Sequence, residues 1–234
     1  MPGTPMEPPS PASPNPGDKD AGRGNIMNIP NQLTLARLLL SVVFFVLLAL
    51  ENHGKTFDTY TEYKINLVLN LSLAVFILAV ITDFLDGYLA RKWGLVSTFG
   101  RIADPFADKI VVCGGFIMLI GVQPRFVEPW FAVVIIFREF LVSGLRSFLE
   151  SRGVPFAATM SGKLKMIVQS ITIPLVIFYE ANLASTTEGS LKASLAGPFR
   201  TLTIIFLALT LILTVASSFP YVFRAIRLIR MNDR

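Results

Sequence analysis

The chain has 234 residues, of which 53% are hydrophobic and 16% charged, with a formal net charge of +5. Soluble chains average about 25% charged residues, so this composition, with a mean hydropathy of +0.59, excludes an ordinary water-soluble domain. The length suits one compact membrane bundle.

Residues 1–26 are rich in Pro, Gly and Ser and cannot bury a core, so a disordered tail is expected there. The tail has no apolar stretch of the kind that makes a secretory signal. Met27 opens the ordered sequence "MNIPNQLTLARLLL" and is a candidate start. Six apolar runs follow: Leu33–Leu50, Ile65–Ile81, Phe106–Val122, Trp130–Leu149, Met166–Tyr179 (extended at both ends) and Leu202–Phe219. Each approaches the roughly 20 residues that cross a bilayer as a helix. None alternates as barrel strands do, and lipid admits only helices or closed barrels. The expected fold is an all-α integral membrane bundle of six transmembrane helices over residues 27–223.

Lys and Arg set its orientation. With the N-terminus inside, Arg91, Lys92, Arg101, Arg146, Arg152, Lys163 and Lys165 fall on the inner side. The outer loops hold only Lys55, Lys64, Arg125, Lys192 and Arg200. Both termini are therefore expected in the cytoplasm, and the positive charge needs no nucleic-acid partner. The basic tail, residues 224–234, spaces Arg224, Arg227 and Arg230 by three, as on a helix end lying among lipid headgroups. Cys113 is the sole cysteine and cannot form an internal disulfide, while His53 reads as a solvated loop residue.

The stretch "TDFLDGYLARKWGLVSTFGRIADPFADK", Thr82–Lys109, carries the chemistry. Asp83 and Asp86 are three apart and share a helix face, with Gly87 and Ala90 leaving a hollow beside them. Gly100, Asp104 and Asp108 are spaced by four, again one face of a helix. Pro105 is tolerable if that helix has only just begun; the plainer alternative reads Asp104, before Pro105, as only a cap. Four clustered carboxylates repel one another, and divalent cations relieve that repulsion. Mg²⁺ and Mn²⁺ take oxygen ligands and bridge carboxylates to substrate phosphates. Two ions at the cytoplasmic edge of a membrane suit phosphoryl-type transfer on a lipid substrate, with Arg91 balancing a diphosphate.

The spacing D-x2-D-G-x2-A-R-x8-G-x3-D-x3-D is filled without departure by Asp83, Asp86, Gly87, Ala90, Arg91, Gly100, Asp104 and Asp108. At about 5–8% usage per position, chance agreement is on the order of one in ten billion per start point. The pattern resembles the signature of the CDP-alcohol phosphotransferases. The resemblance implies a six-helix membrane enzyme with a cytoplasm-facing polar cavity, which joins the phosphoryl part of a CDP-linked donor to an alcohol and releases CMP. By position, it implies metal contacts at Asp83, Asp86, Asp104 and Asp108, with Asp108 also the base that takes the acceptor proton. It implies donor-nucleotide contacts at Gly87, Arg91 and Ser97, with Ala90 and Gly100 making room, and donor headgroup contact at Asn31 and Thr34, beside Arg37. A homodimer and a bacterial cytoplasmic membrane are further expectations.

Three more stretches resemble the members of that family that make phosphatidylglycerophosphate: "NIPNQLTLARLLL", "REFLVSGLRSFLESRG" and "SGKLKMIVQS". The expected substrates are CDP-diacylglycerol, its acyl chains kept in the surrounding membrane lipid, and glycerol 3-phosphate. The acceptor's charge calls for cations, and Arg138, Arg146, Lys163 and Lys165 are the candidates. Arg138 and Glu139 lie deeper than a topology signal requires, so burial within the bundle or pairing is expected. Direct attack is expected rather than a covalent intermediate, because no Ser, Cys or His is set up as a nucleophile. Other acceptors within the family (inositol phosphate, serine, phosphatidylglycerol) fit the same chemistry. A divalent-cation transporter is the rival from another class; it would place its ligands near the midplane on broken helices and leaves Gly87, Ala90, Arg91 and Gly100 without a purpose.

Overall fold

The computed structural model describes residues 29–56, 61–93, 98–153, 160–185 and 191–232; among these, the side chains of 29–31, 55–56, 86–93, 98–105, 191, 228–229 and 231–232 are left out of the description. The described residues form seven helices: α1 (Ile29–Thr56), α2 (Glu62–Trp93), α3 (Thr98–Val122), α4 (Pro129–Ser151), α5 (Met160–Asn182), α6 (Leu191–Ala216) and α7 (Phe219–Asn232). No strand occurs among them. Residues 1–26 lie outside the described residues. Among the described residues, four segments are long and apolar enough to cross a membrane: Gln32–Gly54, Glu62–Leu85, Met160–Asn182 and Lys192–Arg227. The chain is an all-helical integral membrane protein.

Packing follows an inverted pattern that lipid explains. On α1 the buried positions are Thr34, Arg37, Ser41, Phe44, Leu48 and Glu51, recurring every three or four residues. Leu35, Leu39, Val42, Val43 and Val46 are exposed on the other faces. In water this helix would be inside out. In hydrocarbon the apolar faces meet lipid tails, and the polar side chains find partners within the bundle. Hydroxyl and amide pairs join helices in the same way. Thr172 of α5 and Thr210 of α6 share a hydrogen bond of 2.8 Å, and Asn182 of α5 donates to Asn70 of α2 at 2.9 Å.

The helices α1 and α2 pack along their lengths, α3 leans on α1, and α5 lies between α2 and α6. Phe44, Phe76, Phe116 and Ile177 fill the shared core. Gly114 lets α3 approach α1, where a Cβ would run into the Phe45 ring. Gly115 faces α5, where a Cβ would lie 2.9 Å from Ile173 Cδ1.

Several boundaries differ from expectation; His53 and Lys55 lie on α1 and Lys64 on α2, not in loops. The sixth run begins at Leu191 rather than Leu202, so Lys192 and Arg200 sit on a helix and not in a loop. It stops at Ala216, and α7 is a separate helix. Pro220 has no N–H to continue the ladder, and Ser217 and Ser218 turn their hydroxyls onto the Thr214 carbonyl at 3.2 and 3.1 Å. Finally, α3 starts at Thr98, seven residues before Pro105, so Asp104 does not cap it.

Candidate active site

The helix α2 continues through the first half of the aspartate motif, and α3 carries the second half. Their backbones therefore place Asp83, Asp86, Gly87 and Ala90 on one helical stripe and Gly100, Asp104 and Asp108 on another. The side chains of Asp86, Gly87, Ala90, Arg91, Gly100 and Asp104 lie outside the described residues, as does all of Ser97. Asp83 and Asp108 are described, and they line one hollow of about 30 Å³ with Arg37 of α1 and Ser170 of α5. That is room for roughly two water-sized species. Phe76 and Val112 form its apolar side.

Arg37 is an ion-pair partner of Asp83. The arginine side chain is 3% exposed and the aspartate 44%, so the carboxylate keeps an open side while the cation is locked in the bundle. Thr34 is buried one turn earlier on the same seam, and Ser41 one turn later donates to the Arg37 carbonyl at 2.7 Å. Asn31 falls in the first turn of α1, its side chain outside the described residues.

A second ionic group stands beside the first. Lys165 of α5 pairs with Glu139 of α4, and Glu139 also takes a 3.0 Å bond from Arg138. All three are buried. Arg138 ties them to the α6–α7 corner through the Thr214 carbonyl at 3.2 Å and the Ser217 hydroxyl at 2.7 Å. Asp108 lies within the electrostatic reach of Asp83 and Arg37 and of Lys165 and Glu139. One centre results, built from five helices, α1 to α5.

Backbone chemistry adds a further group. Pro174 lies inside α5 and has no N–H, so the Ser170 carbonyl loses its usual helical donor. Ser170 itself lines the hollow beside Asp83 and Asp108.

The other sequence candidates are placed as follows. Lys163 is exposed and Lys165 buried. Two residues turn a helix by about 200°, so these lysines cannot face the same cavity. Arg146 is exposed and paired with Glu150 at 2.8 Å, two turns from Glu139 on the same stripe of α4. Among the described residues, no group of three or more His, Cys, Asp or Glu side chains comes together as a metal cluster. Asp86 and Asp104 are outside that comparison.

Sequence reasoning set Arg37 beside the donor headgroup contacts and left Glu139 between structural pairing and substrate contact; it did not single out Ser170. Arg37 had a readable signal, as one of the polar positions at three- and four-residue spacing inside an apolar run. Glu139 had one in its depth. Ser170 had none, because its place depends on how α5 meets α2.

The family model for CDP-alcohol phosphatidyltransferase matches residues 27–216. A Bacillus subtilis protein named CDP-diacylglycerol–glycerol-3-phosphate 3-phosphatidyltransferase is 37% identical over 154 residues, covering 66% of this chain and 78% of its own. A Rickettsia typhi protein of the same name is 33% identical over 194 residues, covering 83% and 94%. A Mycobacterium tuberculosis protein named as a probable phosphatidylglycerophosphate synthase is 35% identical over 208 residues, covering 88% and 86%. A match over most of the chain, including both halves of the aspartate motif and the helices that carry Lys165 and Glu139, makes this protein an enzyme that belongs to the CDP-alcohol phosphatidyltransferase family.

Proposed function

We propose that the chain transfers the phosphatidyl group of CDP-diacylglycerol to glycerol 3-phosphate, giving phosphatidylglycerophosphate and CMP. The observation that carries this reading is the buried cation group, Lys165 with Arg138 around Glu139, set next to Asp108. A lipid-embedded acceptor without a phosphate would not require buried cations there, whereas glycerol 3-phosphate brings nearly two negative charges. The names of the relatives from Bacillus subtilis and Rickettsia typhi support the same substrates.

The donor keeps its acyl chains in lipid, and its diphosphate lies over the aspartates. Arg37, Thr34 and Asn31 reach it from α1, and Gly87, Ala90, Arg91, Ser97 and Gly100 accommodate the nucleotide. Lys165 holds the acceptor phosphate with Arg138, while Arg146 and Lys163, both exposed, draw the anion in. This aims the far hydroxyl at the donor phosphorus. Asp108 takes the hydroxyl proton. The acceptor oxygen bonds to phosphorus as the bond to the CMP oxygen breaks, and CMP leaves with the electron pair.

The donor set suits divalent cations. Among the described groups at the centre, Arg37, Arg138 and Lys165 balance Asp83, Asp108 and Glu139. Asp86 and Asp104 then add two formal negative charges with only oxygen ligands, which fits Mg²⁺ or Mn²⁺, two ions by the family resemblance. Such ions would neutralise the diphosphate and polarise the phosphoryl group. We further infer that all six long helices span, with both termini and the aspartates on the cytoplasmic side of a bacterial inner membrane, and that the chain pairs as a homodimer.

The test is product identification. Donor labelled in its phosphatidyl phosphate, mixed with glycerol 3-phosphate, Mg²⁺ and the purified protein, should yield labelled phosphatidylglycerophosphate. Donor alone should leave no label on the protein. A trapped phosphatidyl-protein would overturn direct attack, and absence of the labelled lipid would overturn the acceptor.

A further inference from the structure

A second, larger cavity than the aspartate hollow lies at the other end of the bundle. Its volume is about 720 Å³, within the range of small-molecule sites. The first turn of α2, the α3–α4 turn, the end of α5 and the early part of α6 form its walls. Glu62 and Asp83 stand near opposite ends of α2, about 30 Å apart along the helix, so this cavity is separate from the active site. Its floor is core, with Leu69 and Val122 fully buried.

The lining is unusual for a membrane bundle. Glu62 and Glu180 supply two carboxylates, and Arg125 and Arg200 supply two guanidinium groups. Gln123 is buried and donates to Glu180 at 2.5 Å. The Arg200 guanidinium sits 5.6 Å over the Phe126 ring. Opposite charges thus line one hollow, two carboxylates and two guanidinium groups within the same walls.

The depth of the cavity is marked by aromatics. Tyr63, next to Glu62, is 76% exposed, and Trp130, at the start of α4, is 52% exposed. The Trp130 indole donates to Glu128 at 2.9 Å. Exposed Tyr and Trp at helix ends mark the level of lipid headgroups, and both stand next to elements that wall the cavity, Tyr63 beside Glu62 and Trp130 just after the α3–α4 turn.

We propose that this cavity binds a zwitterionic headgroup, one that combines a phosphate with a primary ammonium, and that its source is a phospholipid of the adjoining leaflet. The phosphate lies between Arg125 and Arg200, where guanidinium forks match its oxygens. The ammonium lies toward Glu62 and Glu180 and donates to their oxygens. A purely anionic headgroup would face two carboxylates. A quaternary ammonium has no N–H to give them and prefers open aromatic faces, whereas Arg200 already covers Phe126. The site extends the proposed function, since an enzyme of phospholipid synthesis would carry a sensor of bilayer composition remote from its chemistry, but binding here does not depend on that reading.

The test uses the purified full chain in detergent and native mass spectrometry. The probes are dihexanoyl phosphatidylethanolamine, phosphatidylcholine and phosphatidylglycerol, with O-phosphoethanolamine as the soluble arm. The proposal expects phosphatidylethanolamine to bind about tenfold more tightly than the other two lipids, and more tightly than O-phosphoethanolamine. The double variants R125Q/R200Q and E62Q/E180Q should each lose that preference, with CMP release unchanged. Equal binding of the three lipids by the unaltered protein would overturn the proposal without any variant. Preference for phosphatidylglycerol would overturn the zwitterion, and equal binding of O-phosphoethanolamine would overturn the lipid source. Absence of CMP release by the unaltered protein, with its lipid preference intact, would instead count against the proposed function.

Discussion

Glu139 shows how much one buried carboxylate can organise. It accepts from both Lys165 and Arg138, and removing one partner of such a group leaves charge uncompensated in a poor solvent. Glu139→Gln should therefore raise the KM for glycerol 3-phosphate by about tenfold through a misplaced Lys165. The KM for CDP-diacylglycerol should stay near its original value, and Glu139→Asp should restore part of the loss. Steady-state kinetics in both substrates would check this; equal damage to both KM values would mean that Glu139 only supports the fold. The two lysines of α5 give a sharper contrast. Lys165→Ala should cost activity heavily, while Lys163→Ala, exposed on another face, should cost about threefold or less, the scale of an exposed charge interaction.

Residues also show where sequence reading stops. The aspartate motif was legible because its spacing matches helical turns, and α2 and α3 supply those turns. That Arg37 would meet Asp83 was not legible, since 46 residues separate them and only the packing of α1 on α2 brings them together.

At the scale of elements, close approach depends on small residues and shared hydroxyls. Gly114 faces the Phe45 ring with no space for a Cβ. Gly114→Val should force α3 from α1 and destabilise the bundle by about 1–3 kcal/mol, the usual cost of overpacking. Phe45→Ala in the same chain should recover part of that loss, as read by thermal unfolding in detergent. Thr172→Val removes a 2.8 Å hydroxyl pair between α5 and α6 and should cost about 0.6 kcal/mol, since such bonds in membranes are modest.

The centres of all six apolar runs were readable from hydrophobicity, and their ends were not. The start of α6, "LKASLAGPFR", contains Lys, Gly, Pro and Arg, which read as a loop in water. At a membrane boundary the long cations can reach out to headgroups, and the helix holds. The stop at Ala216 was hidden for the opposite reason, because the Ser217–Pro220 corner lies within a stretch that remains apolar on average.

Across the whole molecule, two polar regions stand at opposite ends of one apolar bundle. The aspartate centre draws on α1, α2, α3 and α5 and is braced from α4 and α6. The mixed-charge cavity occupies the far end. If all six long helices span, a cysteine placed at Arg152 and one placed at Ser185, each in a Cys113→Ala background, must react with a membrane-impermeant thiol reagent from opposite sides. Labelling of both from one side in sealed vesicles would rule out α5 as a span.

The central claim is that one centre, built around Asp83, Asp108 and Lys165, passes a phosphatidyl group to glycerol 3-phosphate. It is tested most directly by CMP release from CDP-diacylglycerol and Mg²⁺ across a panel of acceptors: glycerol 3-phosphate, inositol phosphate, serine and phosphatidylglycerol. The account predicts release with glycerol 3-phosphate alone, and a fall of about 10²–10⁴-fold in folded Asp108→Asn, the range for a lost general base. Release with a different acceptor, or full activity in Asp108→Asn, would contradict it.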